Sequence, residues 1–348
     1  MMNRLGLLGV VVAALFAFTG VAKAQEKLEV GNTAPGLDIK KWLNGDAVTI
    51  EKGSTYVVEF WATWCGPCKK SIPHLNDLHN RFAEKGLVII GVSDEAPDVV
   101  ESFVEAQGSR MSYHVAVDRQ KATSRAWMQA AGQKGIPCAF IVDKNSKVVF
   151  IGHPLDPEFE RAVKLTLKGR FDPKKEKTVR PALEAADKAA RLKNWRQAYK
   201  HFDDVIAIDR SVFSNIALRK FEMMLADEKN KDAAYAYAKA QIKEYEADSE
   251  ALAMFAKDIA SNPRYSAEER DLDVALAAAN AMVATAGDKS PEALATLALV
   301  LSARGEHEQA VERQMEAWMI APAAEKAEYR RLLDKYRSTT EKAKASIK

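Results

Sequence analysis

The sequence predicts an α/β domain followed by an all-α domain of repeated helix pairs. Three observations carry this. From Leu28 to about Arg170, short β-branched and aromatic runs alternate with amphipathic stretches. From about Ala182 onward strand signals vanish and the chain turns Ala-rich. Between them "RFDPKKEKTVRP" is charged and bounded by proline, the composition of a linker, placed at residues 171–181. The 348 residues, 47% hydrophobic and 28% charged, suffice for two domains with ordinary cores. A formal net charge of +3 gives no reason to invoke nucleic acid or an acidic membrane as partner.

The N-terminus, "MMNRLGLLGVVVAALFAFTGVAKAQ", has the pattern of a secretory signal peptide over residues 1–24. Arg4 supplies the positive charge, Leu5 to Ala22 is uncharged, and Ala22 and Ala24 fit a small-residue cleavage site. Cleavage after Ala24 also removes Lys23 and lowers the formal charge to +1. The alternative is an uncleaved anchor, since the apolar run is just long enough to span a bilayer. Either way the rest of the chain is expected to be periplasmic or secreted, where disulfides persist.

Within the first domain, residues 25–170, "TYVVEFWA" reads as a buried strand. "CKKSIPHLNDLHNRFAEKG" follows as a helix, with Leu75, Leu78 and Phe82 on one stripe and Gly86 as its stop. "LVIIGVS" is a strand. "PDVVESFVEAQG" is a helix that turns Val100, Phe103 and Val104 inward. "YHVAVD" is a strand and "KATSRAWMQAAG" a helix. "CAFIVDKNSKVVFIGH" is a hairpin turning at "DKNS", and "PEFERAVKLTLKG" is the closing helix. This alternation implies a sheet covered on both faces.

In residues 182–348 four helical segments align on Ala198, Ala234, Ala275 and Ala310, at intervals of 36, 41 and 35 residues. That is close to the period of about 34 residues of tetratricopeptide helix pairs. The last unit, "PEALATLALVLSARGEHEQAVERQMEAWMIAP", resembles such a repeat most closely. It puts Leu294, Leu297, Ala298 and Leu301 on one helix, Gly305 at the turn, and Ala310 and Ala317 on the next. The first unit has Trp195, Ala198 and Phe202 in place; the middle two are degenerate. A generic helical bundle with small interior residues is the other reading. Trp195, Tyr199, Tyr235 and Tyr237 read as core, and His153 as a surface-loop residue.

Two of the three cysteines, Cys65 and Cys68, form a C-x-x-C at the start of a predicted helix. Unpaired backbone N–H groups and the helix dipole favour an anion there, so the first thiolate is stabilised and nucleophilic. The second, one turn on, is placed to attack a mixed disulfide and release the product. Zinc would need further ligands at finger spacing, and His74 and His79 are too near in sequence to supply them. A purely structural disulfide would close too small a loop to stabilise much.

"EFWATWCGPCKKSIP" in this strand–turn–helix setting resembles the active site of the thioredoxin superfamily. It is most similar to the secreted redoxin branch, the TlpA/ResA type, over roughly Leu28 to Arg170. The resemblance implies a thioredoxin-like fold. It makes Cys65 the exposed nucleophile and Cys68 the buried resolving thiol, with Trp64 beside the dithiol and Gly66 and Pro67 between the cysteines. Pro73 would kink the active-site helix. Glu59 falls where the family has a buried acid that moves the proton of the resolving cysteine, with Glu here where Asp is usual. The plainer reading is a strand Glu facing solvent or paired with a lysine. "GIP", Gly135 to Pro137, resembles the cis-proline loop, in which Ile136 presents its backbone to an extended substrate strand. Cys138 follows Pro137 directly. The resemblance places it near the dithiol, either as a small buried strand residue or as a third thiol that modulates the pair.

The Gly-Pro pair between the cysteines resembles reducing thioredoxins. Oxidants of the DsbA type carry a His there, so a reductase or isomerase of protein disulfides is expected over an oxidase. No dinucleotide-binding fingerprint is present. Electrons are therefore expected from a separate membrane-bound donor, with no cofactor beyond the Cys65–Cys68 disulfide and no metal. One competing reading is a helical-repeat scaffold or binding protein with an accessory redox domain. A peroxidase would need a Pro-x-x-x-Thr-x-x-Cys setting, which this chain lacks.

Overall fold

The computed structural model describes residues 27–287, 289–323 and 325–346. The signal-peptide reading of residues 1–24 lies outside the described residues. Among the described residues no helix is long and apolar enough to cross a membrane.

Six strands form one mixed sheet: β1 (Ile39–Asn44), β2 (Thr55–Phe60), β3 (Leu87–Ser93), β4 (His114–Asp118), β5 (Cys138–Val142) and β6 (Val148–Gly152). Their order is β1-β4-β3-β2-β5-β6. β2, β3 and β4 run parallel, and the β5–β6 hairpin joins β2 antiparallel. β2 is central and all six of its residues are buried, which is why its sequence is mostly apolar, with Thr55 and Glu59 the polar members. β1 was not anticipated. It is an edge strand, antiparallel to β4, with two register shifts and a half-exposed mixture of polar and apolar residues.

One face of the sheet packs against α1 (Gly66–Phe82), α2 (Pro97–Gln107) and α4 (Pro157–Leu167). Ile72, Leu75, Leu78, Val100, Phe159 and Val163 meet Val57 and Ile89 there. Full burial of each such side chain is worth about 1.5–3 kcal/mol. The other face packs Val58, Phe60, Val92 and Phe140 against Leu28, Trp127 and Met128. The segment read as one helix, "KATSRAWMQAAG", is instead a short turn, α3 (Ala122–Ser124), that continues as a π-helical turn over Arg125–Gln129. Trp127 on this wide turn stacks edge-on against Phe140 at 5.2 Å and donates to the Gly36 carbonyl.

The linker expected at residues 171–181 is not one. α5 (Pro173–Arg191) begins four residues after Gly169 and runs through Pro181. Pro173 stands in the first turn, where its missing N–H would have no partner in any case, and Asp172 caps the helix by accepting from the Lys174 N–H. Pro181 costs one rung of the helix, offset by the inward packing of Val179, Ala186 and Ala189.

Eight further helices follow: α6 (Trp195–Ile208), α7 (Ser214–Glu222), α8 (Lys231–Glu244), α9 (Ser249–Ser261), α10 (Leu272–Ala286), α11 (Pro291–Ala303), α12 (His307–Ile320) and α13 (Lys326–Ser346). The closest packing joins α5 to α6, α9 to α10, and α11 to α12, with α13 laid on α12. Ala198, Ala234, Ala275 and Ala310 each have no exposed surface. Asn194, Asn230, Asp248, Asp271 and Ser290 cap their helices by accepting a backbone N–H three residues on, worth about 1 kcal/mol each.

The two halves share buried contacts. Leu165 of α4 belongs to the helical core, and Phe171 packs against both cores. Arg161 of α4 pairs with Glu176 of α5 at 2.7 Å, and Arg170 pairs with Asp248 at 3.4 Å.

Candidate active site

α1 begins at the end of the buried strand β2, after a four-residue turn. Cys65 is its N-cap, and the Cys68 N–H donates to Cys65 Sγ at 3.1 Å. Cys65 and Cys68 are joined as a disulfide. Cys68 is fully buried. Cys65 is only 3% exposed, which corrects the expectation of an exposed nucleophile. In the oxidised form its sulfur turns inward, 3.7 Å from the Ile136 carbonyl oxygen. Exposure is carried by its neighbours: Gly66 and Pro67 are open, and Trp64 is 72% exposed, projecting to solvent rather than packing down. Pro73 lies inside α1, as expected from its spacing.

The Ile136–Pro137 peptide is cis, and this loop lies against Cys65. The turn before Cys65 is held from the other side. Glu95, after β3, accepts from the Thr63 N–H at 2.6 Å and from its hydroxyl at 2.8 Å. Sequence reasoning missed this carboxylate, which lies 30 residues from Cys65 and carries no local signal.

Glu59 has no exposed surface, which excludes the solvent-facing reading. Burial pushes its carboxyl up to about 8, opposed only by the Ser71 hydroxyl at 3.5 Å. The carboxyl is therefore neutral near pH 7 and ready to exchange a proton. Ser71 also donates to the Cys68 carbonyl oxygen at 2.9 Å, so it touches both the resolving cysteine's turn and the acid. Its signal was present in the sequence: it follows Cys68 by three residues and therefore shares its helix face.

Cys138 is not brought to the dithiol. It stands opposite Phe60 in the β2–β5 register, one residue out of phase with Glu59, which stands opposite Ala139. Its side chain joins the core on the far face of the sheet, with Phe60, Trp127 and Phe140, whereas Cys65 and Cys68 belong to the near face. Burial pushes its thiol up to about 12, so it is a protonated, unreactive group.

A disulfide at a helix N-terminus, a buried acid beneath it and a cis-proline loop beside it define a thiol–disulfide oxidoreductase on a thioredoxin-like fold. Relatives in sequence agree. The AhpC/TSA family pattern matches residues 30–151. The thiol-disulfide oxidoreductase ResA of Bacillus thuringiensis (strain Al Hakam) is 31% identical over 152 residues, covering 42% of this chain and 84% of that protein. ResA of Bacillus subtilis (strain 168) is 28% identical, covering 42% and 80%. The crystal structure of a thiol:disulfide interchange protein of the thioredoxin family from Chlorobium tepidum TLS is 27% identical, covering 39% of this chain and 97% of that one, with a TM-score of 0.35. The chain belongs to the ResA-like family of thiol-disulfide oxidoreductases.

Proposed function

We propose that the protein reduces or isomerises protein disulfides outside the cytoplasm through Cys65 and Cys68. The observation that carries this is the placement of Cys65 at the N-cap of α1, above the buried Cys68 and Glu59. In the reduced protein the helix N-terminus favours the Cys65 thiolate. That thiolate attacks one sulfur of a substrate disulfide; the S–S bond breaks and the substrate leaves one sulfur as thiolate. Glu59, in its ionised form, takes the proton of Cys68. The Cys68 thiolate then attacks Cys65 Sγ, forming the intramolecular disulfide and releasing the second substrate thiol. The backbone of Ile136 is the docking edge for an extended substrate strand, beside Trp64, Gly66 and Pro67.

No cofactor beyond the disulfide enters this cycle. Return to the dithiol needs two electrons, assigned to a membrane-bound donor. Periplasmic or secreted location rests on the signal-peptide pattern ending at Ala24. The helical half reads as a tetratricopeptide-like array from the spacing and full burial of its four alanines.

The test is insulin reduction by the full mature chain with dithiothreitol as electron source, together with the reduction potential of the pair. A potential near thioredoxin's value of about −270 mV supports a reductase, and one near the DsbA value of about −120 mV makes it an oxidase. Absence of any insulin reduction by the wild type sinks the proposal.

A further inference from the structure

Three buried polar atoms near the active site have no hydrogen-bond partner, Glu59 Oε2, Trp61 Nε1 and the Tyr113 hydroxyl, and Trp61 and Tyr113 share the core that holds Cys65 and Cys68. All three side chains are at most 2% exposed. Gly91 stands opposite Glu59 in the β2–β3 register, and Trp61 Nε1 and the Tyr113 ring lie over it. A side chain there would crowd the two rings: a Cβ on Gly91 would lie 3.0 Å from Trp61 Nε1 and 3.2 Å from the Tyr113 ring. Glycine thus leaves room for the Trp61 indole and the Tyr113 ring over the strand position that pairs with Glu59.

Among the described residues no cation shifts the Glu59 carboxyl. From β3 it meets Gly91, and from β5 Ala139, with Cys138 turned to the other face. α1 supplies Ser71 and, one turn earlier, Cys68; the residue before β4 is Tyr113, and the residue after β2 is Trp61. The titratable groups coupled to it are Tyr113 and Cys138, both pushed up by burial first and then by the Glu59 charge. No Lys, Arg or His among the described residues shifts Glu59. An ionised carboxylate here must be stabilised by neutral donors, and unsatisfied buried donors are costly to keep unless something uses them.

We infer that Tyr113 is a positioning residue for Glu59: its hydroxyl, with the Trp61 N–H, supports the carboxylate directly or across one water once Glu59 has lost its proton. Tyr113 thereby sets the pH at which Glu59 accepts the proton of Cys68. No electron moves in this step; one proton passes from the Cys68 thiol to the carboxylate. The inference rests on the reading of Glu59 as proton acceptor, and the two are separable because the first readout needs no turnover.

The experiment is a 13C NMR titration of the Glu59 carboxyl in the oxidised full mature chain, for wild type and Tyr113→Phe. The wild-type midpoint is expected near 8. Loss of a hydrogen bond to the charged form should raise it by about one pH unit in the variant. The pH–rate profile of the resolving step should move by the same amount, and Glu59→Gln should remove that limb in both backgrounds. A rate loss uniform across pH with an unchanged midpoint makes Tyr113 merely structural and overturns the inference. If Tyr113→Phe does not fold, 3,5-difluorotyrosine at position 113, a stronger donor, should lower the midpoint; an unmoved midpoint overturns the inference equally. An inactive wild type would defeat the reductase reading while the titration still decides the role of Tyr113.

Discussion

The Ser71 hydroxyl bridges Cys68 and Glu59, donating to the Cys68 carbonyl oxygen at 2.9 Å and lying 3.5 Å from Glu59 Oε1. The acid and the resolving cysteine are thus joined through one side chain on the same turn of α1. Glu59→Gln should slow the resolving step about 100-fold at about pH 9, where the carboxyl is ionised, the ordinary worth of a positioned acid–base group. Ser71→Ala removes the one hydrogen bond that lowers the carboxyl, so it should move the rate limb to higher pH rather than abolish it. Stopped-flow fluorescence of the reduced protein against a peptide disulfide reads both.

Glu59 also makes folding stability depend on pH. Its folded value, about 8, lies above its ordinary value of 4.5, so between these the folded state holds one more proton than the unfolded state. Stability is fully present below about pH 4.5 and falls as pH rises to about 8, then levels off. Relative to Glu59→Gln, the wild type should lose about 1.4 kcal/mol per pH unit across that window. Urea unfolding of the oxidised forms at pH 5, 6.5 and 8 checks this; parallel curves for the two proteins would refute it.

The two cysteines should fail differently when replaced. Cys65→Ser leaves no nucleophile, and insulin reduction should drop to the uncatalysed rate. Cys68→Ser keeps the attack but removes the release, so a mixed disulfide should accumulate and appear on a non-reducing gel. Equal trapping by both variants would reverse or erase the assigned roles.

Cys138 should be silent. Cys138→Ala is expected to leave the reduction potential of the pair unchanged to within about 10 mV, since the thiol lies across the sheet from the dithiol. Iodoacetamide should not label it in the native oxidised chain, where it is 3% exposed, and should label it readily in denaturant. A shifted potential would return it to the role of modulator.

Local patterns in the sequence announced what local physics determines. The β2 run, the start of α1 at the C-x-x-C and the "DKNS" hairpin all formed where propensity and periodicity placed them, whereas α1 ends at Phe82 and Gly86 closes only the 3-10 turn, Ala83–Lys85, that follows it. Ala198 and its three counterparts are fully buried, as small residues spaced along helices that turn one face inward should be. What escaped was set by register and tertiary context. The side of the sheet taken by Cys138 depends on how β5 aligns with β2, and a shift of one residue would reverse it. Tyr113 and Glu95 reach the site from distant segments. β1 is stabilised by pairing with β4 rather than by its own pattern. The 171–181 stretch misled because charge and proline serve a helix start as well as a linker, and Asp172 with Pro173 decided for the helix.

Leu165 of α4 sits in the helical core, and Phe171 touches the cores of both halves. Leu165→Ala should cost about 2–5 kcal/mol, and that loss should be felt on both sides of the boundary. The last helix of the redox half is thus a shared wall. Heat that loosens the helical array should uncover α4 and carry the sheet with it, so calorimetry should record one cooperative melting event instead of two separate ones.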